Sequence, residues 1–108
     1  METPSATLIV ERTSRDDVKM RQIILSLDGK PWATLLHGES ATRAIAPGTH
    51  RLRANNTLVW KTVEFDAGPG ESARFSVVNR AGRGTATLIA LLGVGPLYVT
   101  LERLQDPG

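Results

Sequence analysis

Short apolar alternations, broken by Gly, Pro, Asn and Asp, run through most of the chain. Leu8 and Val10 alternate with Thr7, Ile9 and Glu11. Ile23, Leu25 and Leu27 fall on one face of an extended segment, with Gln22, Ile24 and Ser26 on the other. Residues 32–36 form a third run and 42–46 a weaker fourth. His50, Leu52 and Ala54 alternate with Thr49, Arg51 and Arg53. Val63 and Phe65 share a face, as do Ala73, Phe75 and Val77, and Leu97, Val99 and Leu101 end the series. Successive side chains leave a pleated strand on opposite sides, so a period of two marks half-buried strands. Many short strands separated by turn signals predict an all-β fold, an antiparallel β-sandwich of seven or eight strands.

The turn residues suggest how these strands connect. Asp28-Gly29 supplies two residues that tolerate positive φ, so it predicts a tight hairpin between 23–27 and 32–36. Pro47-Gly48 suits the centre of a type II turn and predicts a second hairpin between 42–46 and 49–54. Asn55-Asn56 can reverse the chain before 59–65, and Ala67-Gly68-Pro69-Gly70 predicts a hairpin between 63–65 and 72–78. Residues 14–19 are charged and lack an apolar face, which reads as a solvated loop. For residues 85–92, Thr85, Thr87 and Ile89 favour a strand, while Ala86, Leu88, Ala90, Leu91 and Leu92 also suit a short buried helix. Strand is the expectation there.

At 108 residues the chain is the size of one domain, expected to span 1–108 with short flexible ends at about 1–6 and 104–108. The absence of cysteine excludes disulfides, thiolate zinc sites, iron–sulfur clusters and a cysteine nucleophile. Thirteen basic against 11 acidic residues give a formal charge of only +2, too little to signal a strongly basic protein. Met1-Glu2-Thr3-Pro4-Ser5 is acidic and polar, unlike the basic start of a secretory signal. The longest apolar run, 87–98, is shorter than the roughly 20 residues that span a bilayer. A soluble, cytoplasmic protein without a membrane span is therefore expected.

Two stretches resemble a known family. Leu25-Ser26-Leu27-Asp28-Gly29-Lys30 looks like the strand and turn that open PEGA-like domains, and Ile45-Ala46-Pro47-Gly48-Thr49-His50-Arg51-Leu52-Arg53 resembles their central Pro-Gly-x-His-x-Leu segment. Val63-Glu64-Phe65 and the turn before Glu71 fit the strand pair that follows. The resemblance covers residues 22–78, and His37-Gly38-Glu39-Ser40 stands where the namesake Pro-Glu-Gly-Ala would lie. It implies a small Ig-like or prealbumin-like sandwich acting as a surface or adaptor module, usually without catalysis. The matching positions are turn formers, so no functional residue carries over.

Candidate chemistry is sparse. His37 and His50, the only histidines, would form with Glu39 the minimum donor set of a catalytic zinc site, the basis of an alternative reading as a small metal-dependent enzyme. Neither a helical His-x-x-x-His nor a third histidine supports it, so no metal or other cofactor is expected. The serines lack a nucleophile elbow. Asp16-Asp17 point apart in extended chain and read as part of a solvated acidic loop. Gly82-Arg83-Gly84 and Gly93-Val94-Gly95 do not make a phosphate-binding fingerprint.

The remaining candidates are surfaces. Arg51 and Arg53 share one strand face, with Arg43 expected on the neighbouring strand and Lys61 and Arg74 as extensions. This is the basis for an alternative reading as a binder of an anionic polymer, nucleic acid or acidic polysaccharide. Glu64, Asp66 and Glu71 lie close enough in sequence to neutralise that face, and five aromatic residues form no stacking row, which disfavours nucleic acid. Trp60 falls out of phase with Val59, Lys61, Val63 and Phe65, and is exposed if those residues face the core. Ile24 and Val78 also fall off the core phase, so with Trp60 they could form a second apolar patch. A non-enzymatic interaction or structural module is the expected function, with a protein partner, a second copy included.

Overall fold

The computed structural model describes residues 4–18, 22–56, 59–81 and 97–104. These residues hold eight strands: β1 (Ala6–Glu11), β2 (Ile23–Leu27), β3 (Lys30–Leu35), β4 (Ser40–Ile45), β5 (Gly48–Asn55), β6 (Trp60–Ala67), β7 (Ser72–Ala81) and β8 (Leu97–Leu104). They form two packed four-stranded sheets, sheet A in the order β4-β1-β7-β8 and sheet B in the order β3-β2-β5-β6. Among the described residues there is no helix. The expectation for residues 85–92 lies outside those described.

The alternation in sequence becomes the core directly. Ala6, Leu8 and Val10 of β1 and Ala73, Phe75 and Val77 of β7 point inward from sheet A. Ile23, Leu25 and Leu27 of β2, Leu52 and Ala54 of β5 and Phe65 of β6 meet them from sheet B. Phe65 and Phe75 cross between the sheets edge to face, with ring centroids 5.1 Å apart, an arrangement favoured by their quadrupoles. Each buried leucine, isoleucine, valine or phenylalanine of these rows stabilises by roughly 1.5–3 kcal/mol relative to an exposed one, so this double row dominates the fold energetically.

The chain changes sheet more often than the turn residues suggest. Asp28-Gly29 does close a β2–β3 hairpin, with φ of 51° and 82°, and a register shift lies between Leu25 and Ser26. β5 and β6 also pair as a hairpin, Asn55 opposite Trp60. The other two expected hairpins do not form. β4 pairs with β1, whereas β5 pairs with β2 and β6, so Pro47-Gly48 is a corner between sheets. Likewise β6 lies in sheet B and β7 in sheet A, so residues 67–70 are a second corner. A turn signal reverses the chain but carries no information about which sheet receives it. The sandwich is also not wholly antiparallel: β1 and β7 run parallel, Thr7 opposite Ser72 and Glu11 opposite Ser76. The first and last of these strands extend to Ala6, fully buried, and Leu104, paired with Arg74.

One end of the sandwich is closed by polar groups. Arg12, Asn56 and Asn79 each continue an inward-facing row by one step, after Val10, Ala54 and Val77, and all three are buried. The Arg12 and Asp17 side chains form a fully buried ion pair, Nε to Oδ2 at 3.1 Å. Arg12 Nη1 donates to the Leu35 carbonyl at 2.7 Å. Asp17 also accepts from His37 Nδ1 at 2.8 Å and from the Asn79 amide at 2.9 Å. The solvated reading of 14–19 therefore fails at Asp17. Its neighbours Arg15 and Asp16 are exposed, but Asp17 turns inward because Arg12 occupies a core position and demands a counter-charge.

Candidate functional site: the outer face of sheet B

In antiparallel pairs, directly opposed residues share a face. The outer face of sheet B is therefore built in rows. Thr34, Ile24, Asn55 and Trp60 form one row across β3, β2, β5 and β6. Ser26, Arg53 and Thr62 form the next, and Arg51 and Glu64 the one after. Trp60 is 64% exposed and Leu36, just past β3, is 57% exposed. Leu36 follows buried Leu35 directly after β3, at the same end of the sheet as Trp60. Ile24 lies half-buried between them.

Toward the other end the face becomes charged. An open depression of about 460 Å³ is lined by Ser26, Asp28, Gly29, Thr49, His50, Arg51, Arg53 and Glu64. Most of its polar groups find partners within it or at its rim. Arg51 pairs with Glu64 at 3.0 Å, Arg53 Nε donates to Thr62 Oγ1 at 3.1 Å, and Thr49 bonds to Asp66. Asp28 accepts from the Arg51 amide through Oδ1 and from His50 Nδ1 through Oδ2, at 2.8 and 2.6 Å.

His50 is a clasp rather than a base. Its Nε2 faces the Ala46 carbonyl at 2.6 Å while Nδ1 faces Asp28, and its ring stacks on Phe65 with centroids 5.7 Å apart. Two acceptors on one imidazole are both satisfied only by the protonated ring. The hydrogen bond to Asp28, then that to Ala46, raises the His50 pKa above its ordinary 6.5. The same bond from His50, with that from the Arg51 amide, lowers the Asp28 pKa below 3.8. The clasp ties the β2–β3 turn to the corner where the chain passes from sheet A to sheet B.

The structure separates several residues that the sequence grouped. His37 is held by Asp17, His50 by Asp28 and Ala46, and Glu39 Oε1 accepts the Leu36 amide at 2.6 Å. Among the described residues no group of three His, Cys, Asp or Glu side chains is placed to hold a metal ion. Arg43 does not join Arg51 and Arg53. It lies on edge strand β4 of sheet A, opposite Leu8, with its guanidinium 5.8 Å from the centre of the Trp32 ring. Arg74 pairs with Glu11 on sheet A at 2.7 Å. Val78 is only 3% exposed and belongs to sheet A, so it cannot extend a patch shared by Ile24 and Trp60.

The buried roles of Arg12, Asp17, Asn56 and Asn79 escaped the sequence reading, which took Asp17 as solvated and Asn56 only as a turn residue. The signal for three of them was their phase, since each continues a core row, while Asp17 is hidden among charged neighbours. No family model matches the chain, and no curated protein does. Among the described residues no helix is long and apolar enough to cross a membrane.

Proposed function

We propose that the protein is a non-enzymatic contact module, a PEGA-like domain of prealbumin-like build, whose contact surface is the Trp60 end of sheet B. The immunoglobulin arrangement seats the first two strands in one sheet. Here β1 and β2 lie in different sheets, which favours the prealbumin-like reading. The observation that carries the contact role is the exposed indole of Trp60 on a strand whose inward neighbours already fill the core. A large aromatic held in water on a rigid sheet contributes little to folding and much to association.

The alternatives find less support. The anionic-polymer reading loses Arg43 to the other sheet and Arg51 to Glu64. The metal-dependent enzyme reading needs His37, Glu39 and His50 together, and each is engaged elsewhere.

A Trp32→Phe background isolates the Trp60 fluorescence for the test. The contact role predicts that acrylamide quenches Trp60 almost as efficiently as free indole. It also predicts that Trp60→Ser leaves the thermal midpoint within about 2 °C, as for exposed substitutions generally. A shielded Trp60, or a large loss of stability in the variant, would show that the residue serves the fold instead.

A further inference from the structure

We propose that two copies of the chain associate through the outer faces of their B sheets, about a two-fold axis that runs along the strands between β2 and β5. The inference rests on the contact reading above and names the partner of that surface.

Strand order sets the geometry. In sheet B, β3 and β6 are the edges and β2 and β5 the middle. Rotation about that axis lays β6 of one copy over β3 of the other, and β5 over β2, with each row kept at its own level. The row Thr34, Ile24, Asn55 and Trp60 then meets itself reversed. Trp60, large and exposed at one edge, comes over Thr34, small and exposed at the other. Half-buried Ile24 comes over half-buried Asn55. Leu36, just past β3 at the same end, adds exposed apolar surface near the incoming indole. Large against small is the complementarity that an isologous contact requires, because one patch must serve as both partners.

Charge selects this axis over the other one that would keep the strands of the two faces aligned. An axis across the strands, through the middle of the face, would set Arg51 over the second copy's Arg53 and Trp60 over its Asp66. Symmetry would impose that like-charge contact twice, and like charges facing each other oppose association. The axis along the strands instead sets Arg51 over Asp28 and Arg53 over Ser26. Asp28 and Arg51 share one level, since the Asp28 amide donates to the Arg51 carbonyl at 2.8 Å. The Asp28 side chain is 47% exposed, so its carboxylate is within reach of a facing guanidinium. Among the described residues Arg51 engages Glu64 through Nη2 alone, which leaves donors for a second carboxylate. The charged row forms the rim and fixes orientation, while the Trp60 row supplies the affinity.

Area sets the strength. Four strands about 4.8 Å apart, with β5 and β6 eight residues long at about 3.3 Å each, present a face of about 500 Å². Two such faces bury about 1,000 Å², the lower bound of a specific interface, so the dimer is weak and dissociates on dilution.

One contact can arise only between copies. Within a chain, Trp60 and Thr34 lie three strand spacings apart, about 14 Å, beyond the range of a proton–proton Overhauser effect. The experiment is isotope-filtered Overhauser spectroscopy on an equal mixture of labelled and unlabelled full chain in the Trp32→Phe background, beside sedimentation equilibrium over a range of concentrations. The expected result is a concentration-dependent dimer with an Overhauser contact from the Trp60 indole to the Thr34 methyl group. Trp60→Ser and Thr34→Glu should each weaken dimerisation by about tenfold while leaving the circular dichroism unchanged. A dimer undiminished in both variants, or one whose Trp60 meets a different surface, overturns the proposed face and axis. A chain that stays monomeric while Trp60 is open to acrylamide overturns the second copy as partner and leaves the contact reading standing. A monomer in which Trp60 is shielded overturns the two together.

Discussion

Asn56 Nδ2 donates to Asn79 Oδ1 at 3.2 Å, so a buried side-chain bond joins the residue just past β5 of one sheet to β7 of the other. The Asn56 carboxamide oxygen also accepts the Val59 amide at 2.9 Å, which shapes the approach to Trp60. A polar pair at the end of two apolar rows holds the sheets in register where leucine would only fill space. The exposed indole of Trp60 thus sits on a strand whose start is fixed from beneath.

Replacing Asn56 by alanine removes both bonds and leaves the Val59 amide without that acceptor. Loss of a buried partner costs about 1–3 kcal/mol. The urea midpoint should fall accordingly, and amide exchange at Val59 should accelerate more than at residues of β3. A midpoint equal to that of the unaltered chain would show the link to be dispensable.

Asp17→Ala should be the more damaging change. It strands the buried Arg12 guanidinium, and breaking a buried pair typically costs about 3–5 kcal/mol. Urea denaturation should show a loss in that range. His37, partly exposed and bonded to the same carboxylate, should become more mobile by NMR.

The sequence carried the strands and the core in its period of two, including the outward phase of Trp60. It also carried the inward phase of Arg12, but a charged residue in a core position is read as the end of a strand unless its counter-ion is known. Asp17 lies five residues on, in a charged stretch without periodicity, so the pairing became visible only in three dimensions. The corners at Pro47-Gly48 and at residues 67–70 were illegible for another reason: local turn chemistry specifies a reversal, and only the competition of whole strands for the core decides which sheet continues. Val78 shows the same limit, since its outward phase was legible but its sheet and its burial were not.

The His50 clasp predicts a pH profile with two limbs. Because the folded pKa of His50 is raised, its contribution is complete below the ordinary value of 6.5 and is lost as pH rises through the higher folded value. Because the folded pKa of Asp28 is lowered, its contribution is complete above 3.8 and is lost as pH falls through the lower folded value. The clasp is therefore at full strength between about pH 4 and 6.5. Urea midpoints measured across pH should decline on the alkaline side, and His50→Gln should flatten that decline.

The two open sides of the sandwich are each bridged by an inward-facing arginine. Arg43 on β4 lies over Trp32 of β3, and Arg103 on β8 donates to the Asp66 carbonyl of β6 at 2.9 Å. Inward charges on edge strands discourage pairing with another chain. Arg43→Val and Arg103→Val should each raise light scattering on storage at high concentration, whereas a surface change such as Lys30→Ala should not.

The most direct measurement of the central claim, that contact is made at the Trp60 end of sheet B, is an amide and indole NMR dilution series of the full chain, read for concentration-dependent shifts. The account predicts that shifts concentrate at Leu36, Ile24, Asn55 and the Trp60 indole and fade toward Asp28 and Glu64. Shifts centred on Asp28, His50 and Glu64, with Trp60 unmoved, would contradict it.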